Sequence, residues 1–371
     1  MKQRVSLRAL RPLRSLTAVV VAVLFSVDSP AETADTTRVF RYLMGTSMQV
    51  AAFGGDAAVR RTAIDEAFGA LNEVDRVMSN YRGDSELSHV NAAAARGPVA
   101  VSAPLLAVLE AARRISVDSR GAFDVTVGPL VKLWGFFDKK PHVPAASELA
   151  GLRPLVDYRN ILIDARERTV RFTRPGVEID LGGIAKGFAV ELAANVLRRH
   201  GLSGFVDAGG NQYMLGTQPG KRLWTVGITD PLRGSELLGE VDVREGAVST
   251  SADSSNFLIA GDRRYGHILD PRSLQPSTAA LSVTIVSTDA TLGDAMSKAA
   301  FILGPKDGLA LIESYPQMSG VIAYRKADGS TAVALSSRIR THFHPVALRL
   351  GDGRARSGQV TAAPGRSSSR R

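Results

Sequence analysis

The chain has 371 residues, carries 46 Lys and Arg against 36 Asp and Glu, and contains no cysteine. Hydrophobic residues make up 44% and charged residues 22%, which excludes a wholly disordered chain and a collagen-like repeat. Without cysteine the chain can form no disulfide, thiolate metal site, cysteine nucleophile or lipid-modified cysteine.

The positive charge is concentrated at the two ends of the chain. Residues 1–31 and residues 351–371 each carry +4, so the ends account for +8 of the net +10 and leave +2 for residues 32–350. A strongly basic protein is often a nucleic-acid partner, but this near-neutral body has no basic stripe with interleaved aromatic residues. The sequence therefore disfavours nucleic-acid binding.

The N-terminal 31 residues have the three parts of a secretory signal peptide. Bases without acids in residues 1–14 precede an apolar run at 16–27, and small residues follow at 29 and 31. The apolar run is shorter than the roughly 20 residues that span a bilayer, although an uncleaved membrane anchor is the alternative. We expect export to the periplasm as a soluble protein that has no lipid anchor and spans no membrane after cleavage.

The C-terminal residues 351–371 are rich in Gly, Ser and Arg and lack apolar periodicity. This composition predicts a disordered basic tail. The tail could contact anionic lipid or an acidic partner, or it could be solvated without a function.

The body, residues 32–350, mixes helical and strand patterns in one domain. In chain order, the patterns predict a strand pair in 38–53, a helix over 57–79, a helix over 102–117 capped by Ser102, two short strands in 160–172, a helix over 185–200, short strands in 204–248, a β-rich run over 279–288, and helices over 292–303 and 307–315. Because the strands and helices do not alternate regularly, the pattern favours an α+β fold over a doubly wound sheet.

Several polar, glycine-rich segments are candidates for chemistry, and each has a structural alternative. Residues 79–88 place polar groups around Tyr81. Tyr81 could stack on a planar ligand that the polar groups bind, or the polar groups could cap a second helix. Residues 121–136 form either a binding loop or a turn packed on Trp134. Residues 180–187 enter a helix through glycines, which suits a phosphate, but they match neither the Walker A loop nor the dinucleotide fingerprint.

Three further segments also have both a functional and a structural interpretation. Residues 207–211 indicate a tight glycine turn, and His267 lies beside Asp270 and Pro271, where a lone histidine is more often structural. Asp294 opens a helical pattern, so its carboxylate could hold Mg²⁺ or cap the helix.

Taken together and in this order, the segments resemble the ApbE family of flavin transferases. The resemblance runs from Met44 to Arg325 and is most specific at residues 123–130 (FDVTVGPL), 180–187 (DLGGIAKG) and 267–271 (HILDP). It implies an α+β fold in which mixed or antiparallel sheets and packed helices surround a deep FAD cleft. It also implies an exported enzyme that moves FMN from FAD onto a Thr or Ser hydroxyl of a partner protein and releases AMP, with Mg²⁺ at the site. The implied partner is the periplasmic domain of a membrane electron-transfer protein.

The resemblance assigns roles to individual positions. Met44, Tyr81 and Ser85 match positions at the flavin, Asp124 and Thr126 match a motif of the cleft, and Thr250, Ser251 and His267 match the pyrophosphate side. Ala185, through its backbone carbonyl, and Asp294, through its carboxylate, match metal ligands, and Lys186 lies next to Ala185. Mg²⁺ at Asp294 would neutralise charge that develops on the phosphate oxygens, and His267 could donate to one of them. The resemblance assigns no base to the acceptor hydroxyl.

The sequence departs from the family pattern at two positions. Lys298 stands four residues after Asp294, where the family usually has a hydroxyl residue, and Ala252 replaces a common glycine. Because positions i and i+4 share a helix face, the Lys298 ammonium is expected where a metal ligand would be. Either it takes the place of Mg²⁺, or Mg²⁺ uses another ligand set. This departure keeps two alternatives open, a non-catalytic FAD-binding protein and an FAD pyrophosphatase.

Overall fold

A computed structural model describes residues 35–253 and 256–346, and after them the backbone of three short strands at 348–349, 355–356 and 360–361. The predicted signal peptide lies outside the described residues, as do the other residues of the predicted tail. Among the described helices, none combines the length and the apolar character needed to cross a bilayer.

The predicted helices occur in the predicted order, together with short helices that the patterns did not predict. They are α1 (Ala57–Met78), α2 (Glu86–Ala93), α3 (Ala103–Asp118), α4 (Gly128–Leu133), α5 (Ala146–Leu152), α6 (Ala185–Arg199) and α7 (Ala290–Glu313), with short 3₁₀ helices at Val125–Val127, Tyr158–Asn160 and Ser337–Ile339. Ser102 caps α3 as expected, since its side chain accepts a hydrogen bond from the Leu105 N–H.

The strands are short and mostly antiparallel. They are β1 (Thr36–Leu43), β2 (Thr46–Phe53), β3 (Val99–Ala100), β4 (Ile161–Asp164), β5 (Thr169–Phe172), β6 (Ser203–Ala208), β7 (Asn211–Leu215), β8 (Trp224–Thr229), β9 (Leu237–Val243), β10 (Gly246–Ala252), β11 (Phe257–Ala260), β12 (Arg263–Gly266), β13 (Leu269–Asp270), β14 (Gln275–Pro276), β15 (Ser282–Ser287), β16 (Met318–Arg325), β17 (Thr331–Leu335), β18 (Phe343–Pro345), β19 (Leu348–Arg349), β20 (Ala355–Arg356) and β21 (Val360–Thr361).

A nine-stranded sheet in the order β1-β2-β6-β7-β10-β15-β16-β17-β21 organises the molecule. Every neighbouring pair is antiparallel except β17 and β21, which run parallel. Smaller sheets in the orders β18-β9-β8 and β3-β5-β4 flank it, and β11-β12, β13-β14 and β19-β20 form two-stranded pairs. This arrangement confirms the predicted α+β class.

Alternation along the central strands fills two cores, one on each face of the sheet. On β2, Met48 and Val50 belong to the larger core, where helices α1, α3, α6 and α7 pack. Ala51 and Phe53 point the other way, into the core beneath β8 and β9. Because the side-chain period of a strand is two, both faces of such a strand must be apolar.

The two helices predicted at 292–303 and 307–315 correspond to the two parts of α7, which are separated by a kink at Gly304. Gly304 has φ 74° and ψ −172°, and Pro305 follows it. Glycine tolerates this positive φ, and proline lacks the N–H that would continue the helical ladder. The prediction of two segments is therefore confirmed, and the break leaves residues 290–303 as a straight helix beside the cavity described next.

Candidate active site

A cavity of ≈ 390 Å³ lies where the loop before α6, the turn between β6 and β7, strand β10, the loop between β12 and β13, and helix α7 meet. Its wall includes Tyr81, Phe123, Asp124, Val131, Phe136, Asp180, Gly182, Gly183, Lys186, Gly209, Gly210, Asn211, Thr250, Ser251, Asn256, His267, Ile268, Lys298 and Ile302. The wall is apolar near residues 123–136 and polar near α6 and α7, a distribution that suits a ligand with an aromatic part and a charged part.

Two lysines line the polar part of the cavity. Lys186 is in the first turn of α6, and its ammonium donates to the Gly182 carbonyl at 3.2 Å. Lys298 comes from α7, and burial lowers the pKa of its ammonium. The Asp294 charge raises this pKa, and the nearby Lys186 charge lowers it further. The two ammonium groups and the glycine backbone at the helix N-terminus make this part of the cavity favourable to a diphosphate.

Asp294 is fully buried in the second turn of α7. Its Oδ2 accepts a hydrogen bond from the Gly187 N–H at 2.9 Å, and its Oδ1 accepts one from the Lys298 ammonium in an ion pair. The interpretation of Asp294 as a helix cap is wrong, because Asp289 caps α7 by accepting from the Leu292 N–H at 2.8 Å. Asp294 instead joins α7 to the start of α6.

The hydroxyl groups of β10 are held in pairs with neighbouring elements. Ser251 Oγ lies 2.7 Å from Ser297 Oγ, and Ser297 also donates to the Asp294 carbonyl at 2.7 Å. Thr250 Oγ1 lies 3.0 Å from Thr284 Oγ1 on β15. Thr250 and Ser251 therefore reach the cavity wall, held by the sheet and by α7, and their role at a pyrophosphate stays a prediction.

His267 lines the cavity between β12 and β13. Its Nδ1 lies 3.0 Å from the Asn256 carbonyl, and because a carbonyl can only accept, the bond assigns the proton to Nδ1. Burial lowers the pKa of His267 to about 4, and the charges of Lys186 and Lys298 add to the shift. The neutral ring then carries a lone pair on Nε2, so at neutral pH this atom accepts a proton. The expectation that His267 donates to a phosphate oxygen does not fit this protonation state.

We predict that His267 makes the fold less stable as the pH falls. Between its ordinary value of 6.5 and the folded value of about 4, the unfolded chain binds a proton that the folded chain does not. Going from about pH 7 to about pH 5, the free energy of unfolding in urea should fall more for the wild type than for His267→Gln. The exposed His89 provides the control, since His89→Gln should follow the wild type; equal losses in all three proteins would refute the effect.

Asp124 and Thr126 are hydrogen-bonded to each other within the protein. Asp124 Oδ1 accepts from the Thr126 N–H and hydroxyl, both at 2.7 Å, and Oδ2 accepts from the Tyr158 N–H at 2.6 Å. Burial raises the pKa of Asp124 to about 6 against the effect of these bonds. Asp124 caps the 3₁₀ helix and reaches the cavity wall, whereas Thr126 is buried behind it.

Of the three residues predicted at the flavin, one, Tyr81, belongs to the cavity wall. Tyr81 lines the cavity, is 70% exposed, and stacks on Phe137 with ring centroids 4.5 Å apart. Met44 lies in the turn between β1 and β2 with φ 49°, and Ser85 is buried as the N-cap of α2. Neither of these two belongs to the cavity wall, so their roles at a flavin stay predictions.

Asn211 is a cavity residue that sequence reasoning did not select. It is 2% exposed, and within the described residues its Oδ1 has no hydrogen-bond partner. The turn before it has Gly209 at φ 64° and Gly210 at φ 98°, which confirms the tight turn predicted at 207–211. An unpaired polar atom in this position suits a ligand. In the sequence, the feature that could have indicated this role is the Asn that ends the glycine turn.

The residues at Asp294 do not fit a divalent metal ion. Both carboxylate oxygens are engaged, one by a backbone N–H and the other by the Lys298 ammonium, and an ammonium offers no lone pair to a metal. Ala185, whose carbonyl the resemblance assigns to the metal, is buried in the first turn of α6, and this role stays a prediction. Within 35–346, apart from 254–255, no three His, Asp or Glu side chains gather as metal ligands.

Comparisons with known proteins identify the family of this chain. The sequence pattern of the ApbE family matches residues 44–322. The chain is 30% identical over 315 residues to the FAD:protein FMN transferase of Klebsiella pneumoniae (strain 342), covering 83% of this chain and 95% of that protein. It is 33% identical over 300 residues to the FAD:protein FMN transferase of Treponema pallidum (strain Nichols), covering 76% and 83%.

Solved structures show the same similarity. The crystal structure of the ApbE protein from Thermotoga maritima superimposes with a TM-score of 0.76 at 29% identity, covering 83% of this chain and 99% of that chain. The flavin transferase ApbE from Vibrio cholerae gives a TM-score of 0.74 at 28% identity, covering 84% and 100%. The resemblance predicted from Met44 to Arg325 is thereby confirmed, and the chain belongs to the ApbE family.

Proposed function

We propose that the chain is an FAD:protein FMN transferase that moves FMN from FAD onto a Thr or Ser hydroxyl of a partner protein and releases AMP. One observation carries this proposal: Lys186, Lys298 and His267 converge on a cavity whose other wall is apolar and aromatic. A dinucleotide with a flavin at one end and a diphosphate in its middle has the matching chemistry. Family membership and the names of the relatives support the same activity.

The proposed reaction is one displacement at the FMN-side phosphorus. The acceptor oxygen forms a bond to this phosphorus, and the bond from the phosphorus to the bridging oxygen breaks. AMP leaves with the bridging oxygen and its electron pair. The hydroxyl proton passes to His267 Nε2, which holds a lone pair because Nδ1–H is bonded to the Asn256 carbonyl.

The protein's own charges position the diphosphate and lower the barrier. Lys186 and Lys298 lie where negative charge grows on the phosphate oxygens, and the Gly182–Gly183 backbone enters the α6 N-terminus beside them. The negative diphosphate would also raise the pKa of His267 from about 4 towards neutrality, where a general base is most effective. The partner would supply the hydroxyl from an exported domain of a membrane electron-transfer protein.

The test of the proposed function is AMP release with and without an acceptor. The purified chain is mixed with FAD and the exported domain of a membrane electron-transfer protein, and AMP is separated by chromatography. AMP is expected only with the acceptor, and not with an acceptor whose Thr or Ser is replaced by Ala or Val. AMP and FMN without acceptor would identify an FAD pyrophosphatase, and FAD binding without AMP would identify a non-catalytic binding protein.

Tyr81→Ala is predicted to weaken FAD binding. Tyr81 is stacked on Phe137 at the cavity, and its exposure leaves ring surface available to a flavin. One lost aromatic stack is worth about 0.5–1.5 kcal/mol, so the dissociation constant should rise about threefold to tenfold. Quenching of flavin fluorescence measures it, and Tyr42→Ala, on an equally exposed tyrosine of β1 outside the cavity wall, is the control that should bind as the wild type does.

We further propose that the chain is exported and processed after residue 31. The basic, apolar and small-residue segments of residues 1–31 support this proposal. Expression of the full chain in a Gram-negative host should yield a periplasmic protein whose N-terminus, read by mass spectrometry, begins at Glu32. Recovery of the uncleaved chain with the membranes would instead identify an anchor.

A further inference from the structure

The position of a divalent cation at Asp294 is taken by a side chain of this protein. Lys298 is one turn after Asp294 on α7, its ammonium is hydrogen-bonded to Asp294 Oδ1, and it lines the cavity. The lysine side chain is 19% exposed and Asp294 is fully buried, so the pair is held in place by the surrounding core and is not a mobile surface contact. The ammonium therefore has a fixed position in the polar part of the cavity.

The neighbouring Ser297 hydroxyl does not complete a metal site beside this pair. Ser297 donates to the Asp294 carbonyl at 2.7 Å and so must accept from Ser251, and it is fully buried. The second Asp294 oxygen accepts from the Gly187 N–H at 2.9 Å. One lone pair of each Asp294 oxygen is therefore directed to a protein donor, and a cation at Oδ1 would have to displace the Lys298 ammonium.

We propose that Lys298 is the built-in cation of this site, and that the chain binds the FAD diphosphate and transfers FMN without a divalent metal. The proposal rests on the proposed function for its catalytic half, whereas its binding half stands alone. A lysine ammonium is a compact point charge that binds phosphate, and Lys186 supplies a second one in the same cavity. Each of the two ammonium groups can donate to a diphosphate oxygen, and Asp294, which balances the charge of Lys298, orients that ammonium.

The wild-type protein tests this proposal directly. FAD binding is measured by fluorescence quenching in EDTA and in excess Mg²⁺, and binding of Mn²⁺ with FAD present is measured by electron paramagnetic resonance. The dissociation constant for FAD should change by less than about twofold between the two conditions, a difference below about 0.4 kcal/mol. Mn²⁺ should give only the signal of the free ion. A dissociation constant that rises about tenfold or more in EDTA, or a stoichiometric bound Mn²⁺ signal, would overturn the proposal.

Variants at Lys298 distinguish binding of FAD by the ammonium from a purely structural role of the side chain. Lys298→Met should weaken FAD binding by about tenfold or more, the order of one charge-assisted contact. Lys298→Thr should bind Mn²⁺ and regain FAD affinity only when a divalent ion is added. Lys306, exposed on the same helix, gives the control Lys306→Met, which should behave as the wild type does. FAD affinity of Lys298→Met equal to that of the wild type would contradict the proposal.

The two halves of the proposal fail in different ways. If the wild type flavinylates the acceptor in neither EDTA nor Mg²⁺, the proposed function fails, while the FAD and Mn²⁺ measurements still decide on the built-in cation. If transfer requires Mg²⁺, the function holds and the built-in cation is refuted. Should Lys298→Met fail to fold, the wild-type measurements decide the matter without it.

Discussion

Gly187→Ala is expected to unfold or severely destabilise the protein. A Cβ at this position would lie 2.2 Å from the Ala290 carbonyl oxygen and 2.6 Å from Asp294 Cβ. The first of these contacts is with backbone, so no side-chain rotation relieves it. Helix α6 must move away from α7, which breaks the hydrogen bond from the Gly187 N–H to Asp294 and displaces Lys186 from the cavity.

The expected cost is at least the about 1–3 kcal/mol of an overpacked core, with the loss of a buried hydrogen bond in addition. Urea unfolding of the variant and the wild type measures it. Gly69→Ala is the matched control, because Gly69 is also in a helix, α1, but a Cβ there meets nothing within 4 Å. That substitution should leave the stability unchanged or raise it by about 0.5–1 kcal/mol. A Gly187→Ala variant as stable as the wild type would show that the helices are not packed as described.

Breaking the Lys298–Asp294 pair is expected to have the second large effect. Lys298→Met leaves a fully buried carboxylate with one hydrogen bond from the Gly187 N–H, and Asp294→Asn leaves a buried ammonium without its countercharge. Removing one partner of a buried ion pair typically costs about 3–5 kcal/mol, because the other charge stays uncompensated. Each single variant should lose stability of this order in urea unfolding.

The double variant Asp294→Asn/Lys298→Met separates this pairing from general damage. Since it leaves no buried charge, it should be less destabilised than the sum of the two single variants. The exposed pair Arg76–Glu73 is the reference, and Arg76→Met should cost far less stability than either single variant at Asp294 or Lys298. Additive losses in the double variant would mean that the two side chains do not interact in solution.

The sequence predicted the secondary structure well because the controlling signals are local. Ser102 before an apolar helical pattern marked the start of α3, and Gly201 marked the end of α6. Gly304 and Pro305 separated the two parts of α7. The order of the strands in the nine-stranded sheet could not be derived in this way, since β2 pairs with β6 across about 150 residues of chain, and no local pattern encodes that pairing.

The site was predictable only in part. His267, Lys186, Thr250 and Ser251 line one cavity, and the roles that the resemblance assigns to them stay predictions. The engagement of Asp294 was not predictable, because its partner Gly187 is 107 positions away and acts through a backbone N–H. The i,i+4 spacing did indicate that Lys298 shares a helix face with Asp294, but only the packing of α6 on α7 shows that both carboxylate oxygens are used.

The intact mass of the acceptor domain tests the central claim most directly. After incubation with the wild-type chain and FAD, the acceptor is analysed by mass spectrometry, and AMP is quantified in the same sample. The account predicts an acceptor heavier by one FMN less one water, with one AMP released for each FMN attached. An unchanged acceptor mass in the presence of bound FAD, whether AMP accumulates or not, would contradict it.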